Sequence, residues 1–191
     1  MAFNQNAPGT VSFPVVGIIG LGNVLMGDDA FGPYCIKILE AGYDFPEGVS
    51  ALDAGTPGFD LTPHISGLKI LIVIDTVRAE GAAGQLRLYR KEDILRHLPH
   101  ARVNPHDPGL KEALLTLEFS GGGPEEVLLI GVIPESVSAK TALSDALKEA
   151  VPRAIDAVLE ELMRLGLEGR AKARPQDPTI WWEDVSGDPT P

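Results

Sequence analysis

Three runs constrain the fold more than any other feature of the chain: VVGIIG at 15–20, KILIVID at 69–75 and EEVLLIGV at 125–132. Each is short and apolar at consecutive positions, so both of its faces must be covered. A strand in a sheet sandwiched between helices meets that requirement. The intervening stretches AFGPYCIKILEAG, GFDLTPHISG and DPGLKEALLTLEF, and residues 143–165, have helical spacing, while VSALDAG and GQLRLYR read as further strands. The expected architecture is α/β, a three-layer sandwich with a mostly parallel central sheet of about five or six strands and helices on both faces. Pro152 inside the 143–165 helix predicts either a kink or a late start near Val151.

One domain, 14–168, accounts for this pattern, with tails at 1–13 and 169–191. The C-terminal tail is rich in Pro, Asp and Gly, and its Trp181–Trp182 pair needs a surface to dock on, either this domain or a partner. No apolar run reaches the roughly 20 residues of a membrane helix, so no membrane insertion is expected. The N-terminus has neither a basic region nor a long apolar core, and a cytoplasmic location is the expectation. A net charge of −11 disfavours nucleic acid as a partner. The single cysteine, Cys35, excludes an intramolecular disulfide and reads as a buried helical thiol.

In a doubly wound sheet the loops after the strands line the ligand crevice. Here those loops carry LGNVLMGDD, LDAGTPG, IDTV, NPHDPG and IPESVS, which offer carboxylates and a histidine but no lysine. The glycines of GLGNVLMGDD do not make a nucleotide loop. Leu25 stands where the third glycine of G-x-G-x-x-G would be, and the lysine of a P-loop is missing. Asp28 and Asp29 would also repel phosphate. Asp28 is expected to cap the helix that follows, leaving Asp29 to face the crevice. Asp75 interrupts an apolar strand at its end, and His106 sits before a helix start in which Asp107 is the cap and Pro108 the first helical residue. His64, His97 and His100 read as packing or surface residues. Asp29, Asp75 and His106 form a mixed oxygen and nitrogen set suited to Zn or Ni, too poor in oxygen for a dedicated Ca site. Their spacing makes no local metal motif.

The order GLGNVLMGDDAFG, LDAGTPGFDL, LIVIDTV, VNPHDPGL, GVIPESV over roughly residues 15–165 resembles the nickel-iron hydrogenase maturation endopeptidases. The resemblance implies a phosphorylase/hydrolase-like fold and an aspartyl-type peptidase that trims the C-terminal extension of a hydrogenase large-subunit precursor after nickel insertion. It assigns Asp29, Asp75 and His106 to both metal contact and catalysis, with nickel supplied by the precursor, and places Asp53 and Gly55 around the same crevice. Some relatives have Glu at the position of Asp29. A monomer is the expected state. The competing readings are a nickel-binding maturation chaperone that does not cut, and a small-molecule hydrolase with an acidic metal site.

Overall fold

The computed structural model describes residues 15–57, 61–97 and 109–184. In chain order the elements are β1 (Val16–Leu21), α1 (Phe31–Gly42), β2 (Tyr43–Asp44), β3 (Val49–Gly55), α2 (Thr62–Ile65), β4 (Ile70–Thr76), β5 (Leu86–Arg90), α3 (Lys91–His97), α4 (Leu110–Ser120), β6 (Glu126–Val132), α5 (Asp145–Arg164), β7 (Arg170–Ala171) and α6 (Trp181–Asp184). The main sheet has the order β3-β1-β4-β6-β5. Its first four strands are parallel, and β5 runs antiparallel along the β6 edge. A separate two-stranded ribbon pairs β2 with β7.

The period-2 geometry of a strand explains why the runs are apolar throughout. Ile18, Ile72, Ile74, Leu128 and Ile130 face one core, shared with Phe31 and Ile36 of α1 and Leu147 and Val158 of α5. Their neighbours Ile19, Leu71, Val73 and Leu129 face the other, shared with Ile65, Ile94, Leu114 and Leu117. Burying each such side chain contributes about 1.5–3 kcal/mol. Helices therefore cover both faces, as the sequence predicts.

Helix α5 does not start late. Ser144 is its N-cap, accepting from the Leu147 amide at 3.4 Å, and the helix continues through Pro152. Burial of Leu147 and Ala150 in the first turns repays the irregularity at the proline, which is exposed. Beyond it the chain returns along α1: the amides of Lys172 and Gln176 donate to the carbonyls of Gly42 and Ala41, and Lys172 Nζ to that of Glu40. These donors satisfy carbonyls that a helix end leaves unpaired. Trp182 is buried, at 1% exposure, and meets Trp181, 53% exposed, edge to face at 5.7 Å. Trp182 thus docks on its own chain, next to Glu183, which lies 3.8 Å from Lys148, while Trp181 stays half-exposed.

At the amino edge of β6 a charged network closes the bottom of the sheet. Glu161 accepts from Arg90 Nη1 and Nη2 at 2.5 and 2.9 Å and from Arg164 Nε at 3.1 Å, and Arg164 also bonds Glu126. Burial alone would raise the Glu161 pKa, but the hydrogen bonds from Arg90 and Arg164 outweigh it and hold the carboxyl at about 2. A carboxyl depressed on folding stabilises above its unfolded pKa, here an ordinary 4.5, and that stabilisation is lost as pH falls from there through about 2. Glu161→Gln is therefore expected to cost on the order of 1–2 kcal/mol at neutral pH, since the arginine partners are half-exposed. It should also flatten the acid limb of a urea-midpoint profile. An unchanged limb would show that the network does not titrate with folding.

Candidate active site

The chain passes from β1 outward to β3 and then returns to the other side of β1 to form β4. That reversal separates the loops at the carboxyl ends of β1 and β4, and in open α/β sheets a ligand binds at such a point. Asp29 follows β1 by way of a 3-10 turn, Gly27–Ala30, and Asp75 and Thr76 close β4.

The glycines of the first loop serve backbone packing. Gly22 has φ +141°, and a Cβ there would lie 1.7 Å from the Asp29 carbonyl oxygen. Only a residue without a side chain lets the chain fold back over Asp29. The Gly22 amide also donates to the Gly55 carbonyl at 2.9 Å, tying the end of β3 to the end of β1. Asp53 Oδ1 accepts from the Gly55 amide at 2.9 Å, shaping that turn beside the site.

Asp29 is half-buried, with each carboxylate oxygen oriented by one donor. The Asn23 amide donates to Oδ2 at 2.8 Å, and the Thr76 hydroxyl donates to Oδ1 at 3.1 Å. Asp75, only 3% exposed, accepts on Oδ1 from the Thr76 amide at 2.8 Å. One threonine, fully buried, thus donates to both carboxylates, its N–H to Asp75 and its O–H to Asp29. Thr76 is the link between the two candidate carboxylates that sequence reasoning misses, because a threonine at a strand end carries no catalytic signature. Its signal is position alone, one residue beyond the aspartate that breaks the apolar run.

Asp28 is where the sequence expectation needs correction. It does not cap α1, whose N-terminus has no side-chain cap bond. Its carboxylate is 1% exposed and turns into the protein, toward residues more than a hundred positions away. Cys35 is buried, as expected, and burial raises its thiol pKa above the ordinary range, so it is inert as a nucleophile.

His106 lies outside the described residues, as do Asp107, Pro108 and His100. His64 is exposed on α2. Among the described residues no three His, Cys, Asp or Glu side chains gather closely enough to hold a metal ion. The structure brings the Asp29 and Asp75 loops together through Thr76. An oxygen carries two lone pairs, so one donor does not exhaust either Asp29 oxygen. The pair can supply hard oxygen ligands to a cation or accept a proton from water.

Thr76→Val removes the hydroxyl while keeping the shape and the backbone amide. The expected result is a folded protein, destabilised by about 1 kcal/mol. Its catalytic rate should fall about tenfold, because one Asp29 oxygen loses its orienting donor. Thr76→Ser should recover most of that rate. Equal rates for wild type and valine would mean that the hydroxyl does not orient Asp29.

The profile of the hydrogenase maturation protease family matches residues 33–161. The chain is 37% identical over 155 residues to the hydrogenase expression/formation protein HoxM of Azotobacter vinelandii, covering 81% of this chain and 72% of that protein. It is 32% identical over 152 residues to the hydrogenase 2 maturation protease of Escherichia coli, covering 79% of this chain and 92% of the relative. The solved structure of the hydrogenase maturating endopeptidase HybD from E. coli superposes with a TM-score of 0.77 at 31% identity, over 83% of this chain and 98% of that one.

Proposed function

We infer that this chain, which belongs to the hydrogenase maturation protease family, is an endopeptidase that removes the C-terminal extension of a hydrogenase large-subunit precursor and recognises the precursor by its bound nickel. The observation that carries the nickel reading is the pair of carboxylates at the topological switch point, both oriented by Thr76. Oxygens of Asp29 and Asp75, with the imidazole of His106, make a donor set that suits a divalent transition metal. The ion arrives with the substrate, and binding it places the peptide to be cut against the same residues.

Hydrolysis then needs an attacking water, a group to take its proton and a route for that proton to the leaving amine. The water oxygen adds to the scissile carbonyl, the C–N bond breaks, and the proton ends on the new amino terminus. Either the nickel lowers the pKa of the water or a carboxylate accepts its proton. In both routes a precursor without nickel lacks the element that fixes its position. Cleavage therefore reports that the metal has been inserted. No helix among the described residues is long and apolar enough to cross a membrane. We place the reaction in the cytoplasm, with the enzyme acting as a monomer.

Mass spectrometry of a purified precursor, nickel-loaded or nickel-free, after incubation with the protein tests this reading. Loss of a C-terminal fragment from the loaded form alone is the expected result. Loss from both forms would sink nickel recognition. Binding without loss would favour the chaperone reading, and neither binding nor loss would leave the hydrolase.

A further inference from the structure

We propose that Asp28 is a positioning residue, which locks the loop after β6 and the first turn of α5 onto the loop that carries Asp29. The inference rests on the reading of Asp29 as a site carboxylate. Asp28 Oδ2 accepts from the amides of Glu135 and Ser136 at 2.8 and 3.0 Å and from the Ser144 hydroxyl at 3.0 Å, and Oδ1 accepts from the Ser144 amide at 2.7 Å. Ser144 is the N-cap of α5, so Asp28 sits at the positive end of a 20-residue helix. The residue that the sequence suggests as a cap does serve a helix terminus, but that of a helix 116 positions further along.

Four donors satisfy the hydrogen-bonding capacity of a carboxylate that is only 1% exposed. Backbone bonds extend the lock. The Gly27 amide donates to the Lys140 carbonyl at 2.6 Å, the Lys140 amide to Leu25 at 3.1 Å, and the Asp28 amide to Ser136 at 3.2 Å. The two loops thereby form one wall, and Asp29 is the residue next to its anchor. Asp29 reaches the site only if the wall stands still, because its own side chain is held by single donors from Asn23 and Thr76. A merely structural Asp28 would affect stability alone. A positioning Asp28 affects where the neighbouring carboxylate points.

Asp28→Asn preserves size but replaces one acceptor oxygen with a donor facing amide or hydroxyl hydrogens. In the purified protein, well below its thermal midpoint, we expect kcat for extension removal from nickel-loaded precursor to fall about 10- to 30-fold, with KM within about threefold. Glu161→Gln, at the opposite end of the sheet, serves as a destabilised control that keeps the wild-type kcat. A second readout does not depend on activity. Hydrogen exchange at the Asn23 amide, which donates to Asp29, should accelerate about tenfold or more in Asp28→Asn along with the amides of 135, 136 and 144. If Asp28→Asn folds poorly, Ser144→Ala removes one donor, and it should lower kcat about threefold and speed Asn23 exchange in proportion. A wild-type kcat or unchanged Asn23 protection in these variants overturns the proposal. A wild-type protein that cleaves no precursor overturns the function reading instead, while the exchange result still decides the role of Asp28.

Discussion

Asp75→Asn is expected to lower the rate of extension removal by roughly 100-fold or more, with the fold intact. The substitution is close to isosteric, and an amide oxygen can still accept from the Thr76 N–H that now reaches Asp75 Oδ1 at 2.8 Å. What disappears is the negative charge and one oxygen able to bind a cation or take a proton. Asp75 lies at the end of a central strand, between Ile74 and Thr76, which are both fully buried. Initial rates by mass spectrometry on nickel-loaded precursor, beside a thermal midpoint, separate lost chemistry from lost folding. Cleavage at the wild-type rate would remove Asp75 from the site. Asp29→Asn should fall comparably, and the double variant little further, because groups that act as a unit do not contribute additively.

The fold was legible wherever the sequence carried a period. Continuous apolarity at 69–75 and 125–132 required two covered faces, and the structure covers them, alternate residues going to alternate cores. The edge position and antiparallel direction of β5 were not legible, because a half-polar strand such as LRLYR fits either direction. Local chemistry misled at two points. Of the two readings that Pro152 allowed, a kink or a late start near Val151, the late start fails, because the Ser144 cap and the buried first turns set the start at Asp145. Asp28 has the composition of a local cap, yet its four donors come from 135, 136 and 144. Nothing in a window around residue 28 could reveal them. Asp29 and Asp75 stood out as carboxylates at breaks in apolar runs, whereas the threonine that serves both is visible only once β4 is placed beside β1.

The glycines of GLGN and of the following AFG carry the last expectation, which concerns stability. Gly32, at the start of α1, would place a Cβ 2.3 Å from the Leu21 carbonyl oxygen, 2.4 Å from that of Ile74 and 2.6 Å from the Leu21 amide nitrogen. These are backbone atoms of the two central strands, and none can yield by rotating a side chain. Gly20 lies opposite: its Cβ would come within 2.5 Å of the Gly32 carbonyl oxygen. The helix therefore rests on the sheet glycine to glycine, a contact closer than any side chain permits. Gly32→Ala must lift the amino end of α1 and open the packing of Phe31 and Ile36, at about 3 kcal/mol or more. For a chain of this length that lowers the thermal midpoint by on the order of 10 °C. At Gly42, the other end of α1, a Cβ would meet nothing within 4 Å, and Gly42→Ala should be neutral or slightly stabilising. Because Asp29 precedes Gly32 by one 3-10 turn, the same lift displaces it, so residual folded Gly32→Ala should also cleave slowly. Equal midpoints for the two alanine variants would show that α1 accommodates the methyl group without moving, and that the close contact does not hold the site together.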